Sequence, residues 1–238
     1  MNLTITGMTF RAMLSRKRAL LLLPMPLLLI GLALIGHVSG GHVDLWAPIV
    51  LGQLGFAVIL PLTALIVGSS VLGLEIEDGT ITHILAKPLP RSEIILAKLA
   101  VAWTVTTVTT AVPLAVAGAI AGGGWTAAGM AVGAAVGALA YSALFLALSL
   151  LTRRPVGMGL VYIILWENLL VRFVAGAKVL SVQQYAIALA RGLGRTGLLP
   201  STGLSTMAAA LLAAAFVLGG TVLATSLLRS FSLTGETS

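Results

Sequence analysis

Few residues of this chain have the types and spacing that covalent or acid–base chemistry requires. The sequence contains no cysteine, which excludes disulfides, thiol nucleophiles and zinc–thiolate sites. It also contains no HExxH pair, no GxSxG nucleophile turn and no GxxxxGK[ST] phosphate loop. His37 and His42 flank a loop near Asp44, but two histidines in a glycine-containing loop are a weak signal, and we expect no metal site.

Glu167 is the one acidic side chain that lies deep in an apolar run. A charged side chain at the centre of a membrane helix costs about 2.5–3.5 kcal/mol, so Glu167 should face a bundle interior or a polar cavity. Two interpretations stay open. Glu167 has a structural role near the outer interface, satisfied by Asn168 and Arg172, or it belongs with Asn168 and Thr107 to a substrate pathway that recognises a cation or moves a proton.

Thr107 lies in a threonine-rich stretch of the third apolar run, which also contains Thr104, Thr106, Thr109 and Thr110. Hydroxyls of this kind line a mildly polar route or bond back to helix carbonyls, and back-bonding is the safer expectation.

Composition identifies the elements that must position these residues. The chain has 238 residues, of which 58% are hydrophobic and 9% charged, and its mean hydropathy is +1.09. A soluble domain has about 25% charged residues, so this chain lacks the polar surface of a soluble enzyme. We expect an all-α membrane protein, with residues 1–238 forming a single transmembrane domain.

Six apolar runs predict six transmembrane helices, because a span needs about 20 apolar residues. The runs cover residues 19–36, 47–74, 94–120, 126–151, 156–173 and 204–228. Residues 1–18 carry basic residues between apolar ones and predict an amphipathic helix on the membrane interface. Gly129, Gly133 and Gly137 give the fourth run one smooth face, which favours close packing within the subunit over a dimer contact.

Charge asymmetry predicts that both termini are cytoplasmic. Ten of the 14 basic residues then lie inside: Arg11, Arg16, Lys17, Arg18, Lys87, Arg91, Lys98, Arg153, Arg154 and Arg229. The segment 173–202, with Lys178, Arg191 and Arg195, departs from this rule, as does the adjacent Arg172. Either residues 182–193 form a short helix on the outer interface, which we favour, or the fifth run is a re-entrant hairpin and the C-terminus lies outside. The net charge of +7 indicates membrane topology and not nucleic-acid binding.

The inner segment 75–91 is the most informative part of the chain. Asp78 is a candidate N-cap and Pro88 a candidate stop, which predicts a helix of about two turns over residues 79–87. Ile81, Ile84 and Leu85 share one face of that helix at i, i+3 and i+4 spacing. Because this apolar face would lie outside the membrane, it needs a partner. We expect Lys98, one turn into the next helix, to reach back to the lipid head groups.

This segment resembles the permease subunits of type-2 ABC exporters, the ABC-2 family. The matching pattern has acidic residues before Gly-Thr, then apolar residues, then Pro-x-x-Arg and a lysine in the next helix. Its residues here are Glu75, Glu77, Gly79, Thr80, Pro88, Arg91 and Lys98. The resemblance extends to the basic N-terminal helix, the six spans and the longer outer segment before the last helix.

The resemblance implies a multi-pass permease of the plasma (inner) membrane that pairs with a second copy or a homologous permease. Two separate ATPase subunits would bind ATP and Mg²⁺, while this chain holds no cofactor and is not itself an enzyme. The helix between spans two and three would be a cytoplasmic coupling helix that inserts Ile81, Ile84 and Leu85 into the ATPase. The expected substrate is hydrophobic or amphiphilic: a drug, a lipid or a peptide. The alternative is a secondary carrier that uses Glu167 and an ion gradient, although the sequence shows no paired intramembrane charges and no internal repeat.

Overall fold

The computed structural model describes residues 23–77, 90–152 and 154–230. The predicted interfacial helix at 1–18 and residues 78–89 of the predicted coupling segment lie outside the described residues. All regular secondary structure in the described part is helical. The α-helices are α1 (Pro24–Val38), α2 (Val43–Ala47, then π-helical Pro48–Ile59, then Leu60–Glu77), α3 (Arg91–Leu151), α4 (Pro155–Val161, then π-helical Tyr162–Leu170, then Val171–Phe173), α5 (Val182–Gly194) and α6 (Thr206–Ser230). A 3₁₀ helix, Ala175–Leu180, lies between α4 and α5.

Helix α3 is a hairpin of two arms. A straight helix of its 61 residues would be about 92 Å long, whereas the hydrocarbon core is about 30 Å thick. The chain reverses at Gly122 and Gly123, whose backbone is not helical, and Gly123 has a φ of 79° that favours glycine. The indole nitrogen of Trp103 donates to the carbonyl oxygen of Ala135 at 3.0 Å, which ties the first arm (91–121) to the second arm (124–151).

Apolar helices long enough to cross a membrane occur three times in the described residues, at Val43–Val71, Arg91–Leu151 and Thr206–Arg229. Pro24–Val38 and Pro155–Leu170 are shorter apolar helices. Because the second of the long helices is a hairpin, these elements correspond in order to the six apolar runs of the sequence. The number of spans stays a prediction.

Helix α5 lies against the second arm of α3 along a seam of small residues. Gly129 faces Ala190 and Gly194, Gly133 faces Ala186 and Ala190, and Gly137 faces Ala186. A Cβ added at Gly133 would lie 2.5 Å from the carbonyl oxygen of Ala186, so only glycine fits at this spacing. The prediction that the glycine face packs within the subunit is confirmed.

This seam gives the packing partner of the helix predicted at 182–193. The small residues of α5 recur at every fourth position and match the spacing of the three glycines, so α5 runs antiparallel to the second arm. It therefore packs along the second arm of α3, and its position relative to the membrane surface stays a prediction. Arg195, which follows α5, stacks its guanidinium 5.1 Å from the centre of the Trp125 ring near the hairpin bend.

Candidate functional site

A polar cleft of about 320 Å³ opens between α2, α4, α5 and the connector that follows α5. Most of its lining side chains are polar, in a protein whose other surfaces are largely apolar. The lining consists of Gln53, Glu167, Asn168, Val171, Lys178, Gln183, Gln184, Ile187, Pro200 and Ser201. The cleft thus contains two of the three predicted pathway residues, Glu167 and Asn168.

Glu167 lies at the wall of the cleft, only 3% exposed, and accepts hydrogen bonds from five donors. The hydroxyls of Tyr141 and Tyr162 donate to its Oε1 at 3.0 and 3.2 Å. The backbone N–H groups of Val182 and Gln183 donate to the same oxygen at 3.0 and 3.4 Å. The hydroxyl of Ser181 donates to Oε2. Because its donors come from α3, α4 and the start of α5, Glu167 joins these three elements.

The N-terminus of α5 explains why a carboxylate is accommodated here. The first N–H groups of a helix lack partners within the helix and carry partial positive charge, so they favour an anion. Ser181 is the N-cap, and its hydroxyl oxygen accepts from the N–H of Gln184 at 3.2 Å. The sequence Ser-x-x-Gln is a capping-box signature. This signal was available in the sequence and predicts the start of α5 at residue 182.

The partners of Glu167 differ from the expected ones. The side-chain amide of Asn168 donates to the carbonyl oxygen of Ile163 at 2.9 Å instead. The reason is local: residues 162–170 are π-helical, so residue 168 lies over residue 163, five positions earlier. The side chain of Arg172 is outside the described set. Gln53 lies in the other π-helical stretch, so both such stretches contribute to the cleft.

Glu167 lies far from the hairpin bend of α3. Its partner Tyr141 follows the hairpin bend at Gly123 by 18 residues, which is about 27 Å along the second arm. Glu167 therefore contacts the second arm well away from the bend, and its position relative to the outer interface stays a prediction.

At the other end of the bundle, Lys98 joins α2 to α3. Its ammonium donates to the carbonyl oxygen of Val71 at 3.0 Å, and the side chain is 1% exposed. Lys98 therefore does not extend to head groups as expected, because the carbonyl lies within reach inside the bundle. Val71 also packs in an apolar cluster with Ile95, Leu146 and Leu228, which brings α2, both arms of α3 and α6 together at this end.

Comparison with known proteins adds the family. A family model described as "ABC-2 family transporter protein" matches residues 6–182, which is about three quarters of the chain. The chain belongs to the ABC-2 transporter family. No curated protein matches it. Members of this family are non-catalytic membrane permeases of ABC-type transporters, and membership implies association with an ABC ATPase subunit and a multi-pass membrane location.

In this ABC-2 family protein, the motif residues of the predicted coupling segment fall around the gap in the described chain. Glu75 and Glu77 lie in the last turn of α2, and Arg91 begins α3. The predicted ATPase contacts between them lie outside the described residues: Asp78, Gly79, Thr80, Ile81, Ile84, Leu85 and Pro88. The helices on both sides of this segment are those that Lys98 ties together.

Thr107 lies in the first arm of α3 and not in the cleft lining. Back-bonding is observed for Thr104, Thr109 and Thr110, whose hydroxyls donate to carbonyl oxygens three or four residues earlier at 2.7–3.1 Å. The buried hydroxyls of Thr106 and Thr107 have no hydrogen-bond partner among the described residues. Most hydroxyls of the threonine-rich stretch thus bond to the backbone of their own helix, and those of Thr106 and Thr107 do not.

The described residues contain no cluster of three or more His, Cys, Asp or Glu side chains that would suit a metal ion. His37 lies in the last turn of α1 and His42 precedes α2, so the two flank the short connection between these helices. Sequence reasoning missed Gln53, Lys178, Gln183 and Gln184 as cleft residues. Their contribution depends on how α2, α4 and α5 meet, which local sequence does not encode.

Proposed function

We propose that this protein is the permease subunit of an ATP-driven exporter in the plasma membrane. Two permease chains, identical or homologous, would form the transport path, and two ATPase subunits would bind ATP and Mg²⁺. Family membership over residues 6–182 is the observation that carries this proposal. The substrate would be hydrophobic or amphiphilic, and both termini would be cytoplasmic.

The route of coupling starts at residues 75–91. Ile81, Ile84 and Leu85 form the face that docks on the ATPase, and the acidic and basic residues around them orient it. The Lys98–Val71 hydrogen bond supports this role, because a displacement of the segment would move the ends of α2 and α3 together. The apolar cluster around Val71 would pass that movement to the second arm of α3 and to α6.

The polar cleft is the proposed part of the substrate route on the side of the hairpin bend. Its lining extends from Gln53 and Ser201 to Glu167. ATP binding shifts the permease between inward- and outward-facing states only if these states bind nucleotide-loaded ATPase with different affinities. An ion-gradient carrier based on Glu167 is not favoured, because the carboxylate already accepts five internal hydrogen bonds.

Co-purification in mild detergent followed by mass spectrometry tests the proposal. The wild-type chain should recover an ABC ATPase, and Ile84→Asp should reduce that recovery by at least about tenfold, because it places a charge in an apolar contact. Ser39→Asp, at the exposed end of α1, is the matched control and should retain the ATPase. Recovery of the folded wild-type chain without any ATPase would contradict the proposal, as would equal recovery with Ile84→Asp.

A further inference from the structure

The polar cleft presents one charge that a ligand can contact. Its lining contains two charged residues, Glu167 and Lys178. Both carboxylate oxygens of Glu167 accept internal hydrogen bonds, and this side chain is only 3% exposed. The side chain of Lys178 is partly buried, and its ammonium has no hydrogen bond or ion pair within the described residues. A ligand in the cleft therefore meets an available positive charge, whereas the negative charge is already used.

Gln183 adds a second unused polar group to the cleft. Its side chain is 9% exposed and lines the cleft, but its amide has no hydrogen bond within the part of the chain that the structure describes. The backbone N–H of Gln183 is used separately, by Glu167. A buried amide is stable only when it has a hydrogen-bond partner. The cleft must therefore supply that partner, either as water or as a polar atom of a ligand that displaces the water.

Lys178 and Gln183 are held in place on either side of Ser181. The N–H of Ser181 donates to the carbonyl oxygen of Lys178 at 3.3 Å, at the end of the 3₁₀ helix Ala175–Leu180. The indole nitrogen of Trp166 in α4 donates to the carbonyl oxygen of Leu180 at 3.3 Å. The backbone that carries the two unused polar groups is thus anchored to α4, so binding requires little ordering of that backbone.

Both π-helical stretches of the described chain contribute to the same lining. Gln53 belongs to Pro48–Ile59, and Asn168 belongs to Tyr162–Leu170. Such turns are rare and occur often at functional sites. The lining therefore combines one ammonium with several amide side chains, and these groups donate hydrogen bonds to oxygen. This set of donors complements the oxygens of a carboxylate or a phosphate.

We infer that the polar cleft binds an anionic group, a carboxylate or a phosphate, whose oxygens contact the ammonium of Lys178 and the amide of Gln183. The cleft has room for about ten water molecules, so it holds a small anion or the anionic end of a larger molecule. The inference rests on the proposed function in one respect: the anionic group would belong to the transported substrate. Binding itself requires only residues of this chain.

NMR spectroscopy of methylated lysines tests the site. The chain has four lysines, Lys17, Lys87, Lys98 and Lys178, so reductive methylation with isotope-labelled formaldehyde gives few resonances, and Lys178→Arg assigns the one of interest. Methylation keeps the positive charge of the amine. The full chain in dodecyl maltoside, without ATPase, is titrated at constant ionic strength with inorganic phosphate, with acetate, and with acetamide as the neutral analogue of acetate.

Phosphate and acetate should shift the Lys178 resonance saturably, with a Kd on the order of 10 mM for one charge-assisted contact, and acetamide should not. Lys17 and Lys87 lie in other parts of the sequence and are internal references for non-specific effects. Gln183→Met should weaken the affinity about fivefold, because one hydrogen bond to the anion is lost. Arg191→Gln removes a cation from the last turn of α5, outside the lining, and should leave the affinity unchanged.

Three results would overturn the inference: no saturable shift of Lys178 with either anion, equal shifts with acetate and acetamide, or equal losses of affinity in Arg191→Gln and Gln183→Met. The comparison of acetate with acetamide uses the wild-type chain, so it decides the matter even if Gln183→Met fails to fold. Because no ATPase is present, a negative result would leave the ATPase association intact, and a failed co-purification would leave this binding result intact.

Discussion

Replacing Glu167 by alanine should strongly destabilise the protein. Five donors now bond to the carboxylate, and each buried donor left without a partner costs about 1–3 kcal/mol. The three hydroxyls can rotate to other acceptors and water can enter from the cleft, so we expect a net loss of about 4 kcal/mol. For a chain of this length that corresponds to a fall in Tm of about 8–16 °C.

The sign of this effect separates two descriptions of Glu167. An unpartnered charge in a membrane helix costs about 2.5–3.5 kcal/mol, so its removal would stabilise the protein. A carboxylate that caps α5 and accepts hydrogen bonds from two tyrosines stabilises the folded protein, so its removal must destabilise the protein. The assay heats detergent-solubilised protein and measures the folded fraction by size-exclusion chromatography. Leu169→Ala, at a position 48% exposed on the same helix, is the control and should change Tm by only a few degrees.

Graded variants refine the result. Glu167→Gln keeps an oxygen for the four donors at Oε1 but presents an NH₂ group to Ser181, so about 1–2 kcal/mol should be lost. Tyr141→Phe removes one donor and should cost about 1 kcal/mol. A Glu167→Ala protein as stable as the wild type, or more stable, would refute the assignment of Glu167 as the element that joins α3, α4 and α5.

Two further predictions concern the α5 seam and the Lys98 contact. Gly133→Ala should destabilise the protein by about 1–3 kcal/mol, because the added Cβ meets the backbone of α5. Gly31→Ala is the control and should be neutral or stabilising. Equal shifts of the two variants in thermal denaturation would contradict the packing. Lys98→Met should leave folding intact but lower the substrate-stimulated ATP hydrolysis of the assembled complex by at least about fivefold. Unchanged stimulation would show that the contact between Lys98 and Val71 does not couple the permease to the ATPase.

The sequence predicted features that depend on local pattern. The apolar runs and the packing of the glycine face within the subunit follow from residue type and period. A helix was predicted over residues 182–193 and lies at Val182–Gly194, but its pairing with the second arm of α3 was not predicted. A second stripe of small residues, Ala186, Ala190 and Gly194, matches the glycine stripe in spacing and would have indicated the pairing.

The site was less predictable because its parts are distant in sequence. Tyr141 and Glu167 are 26 residues apart, and their contact depends on the length of α4 and the bend of α3. Asn168, the expected partner of Glu167, bonds instead to the carbonyl oxygen of Ile163, because residues 162–170 are π-helical. The period of the apolar residues does not reveal this π-helix. Lys178 looked like an exception to the charge rule, and its place in a cleft became visible only once α2, α4 and α5 were assembled.

The seam between α5 and the second arm of α3 restricts how this protein can diverge in evolution. A larger residue on one helix is normally tolerated when a smaller one appears opposite it. Here a Cβ added at Gly129 or Gly133 would meet backbone atoms of α5, which no substitution on α5 removes. We therefore expect Gly129, Gly133 and Ala190 to vary little among relatives. Gly31 and Gly219, which have open space around them, should vary freely unless a ligand occupies that space.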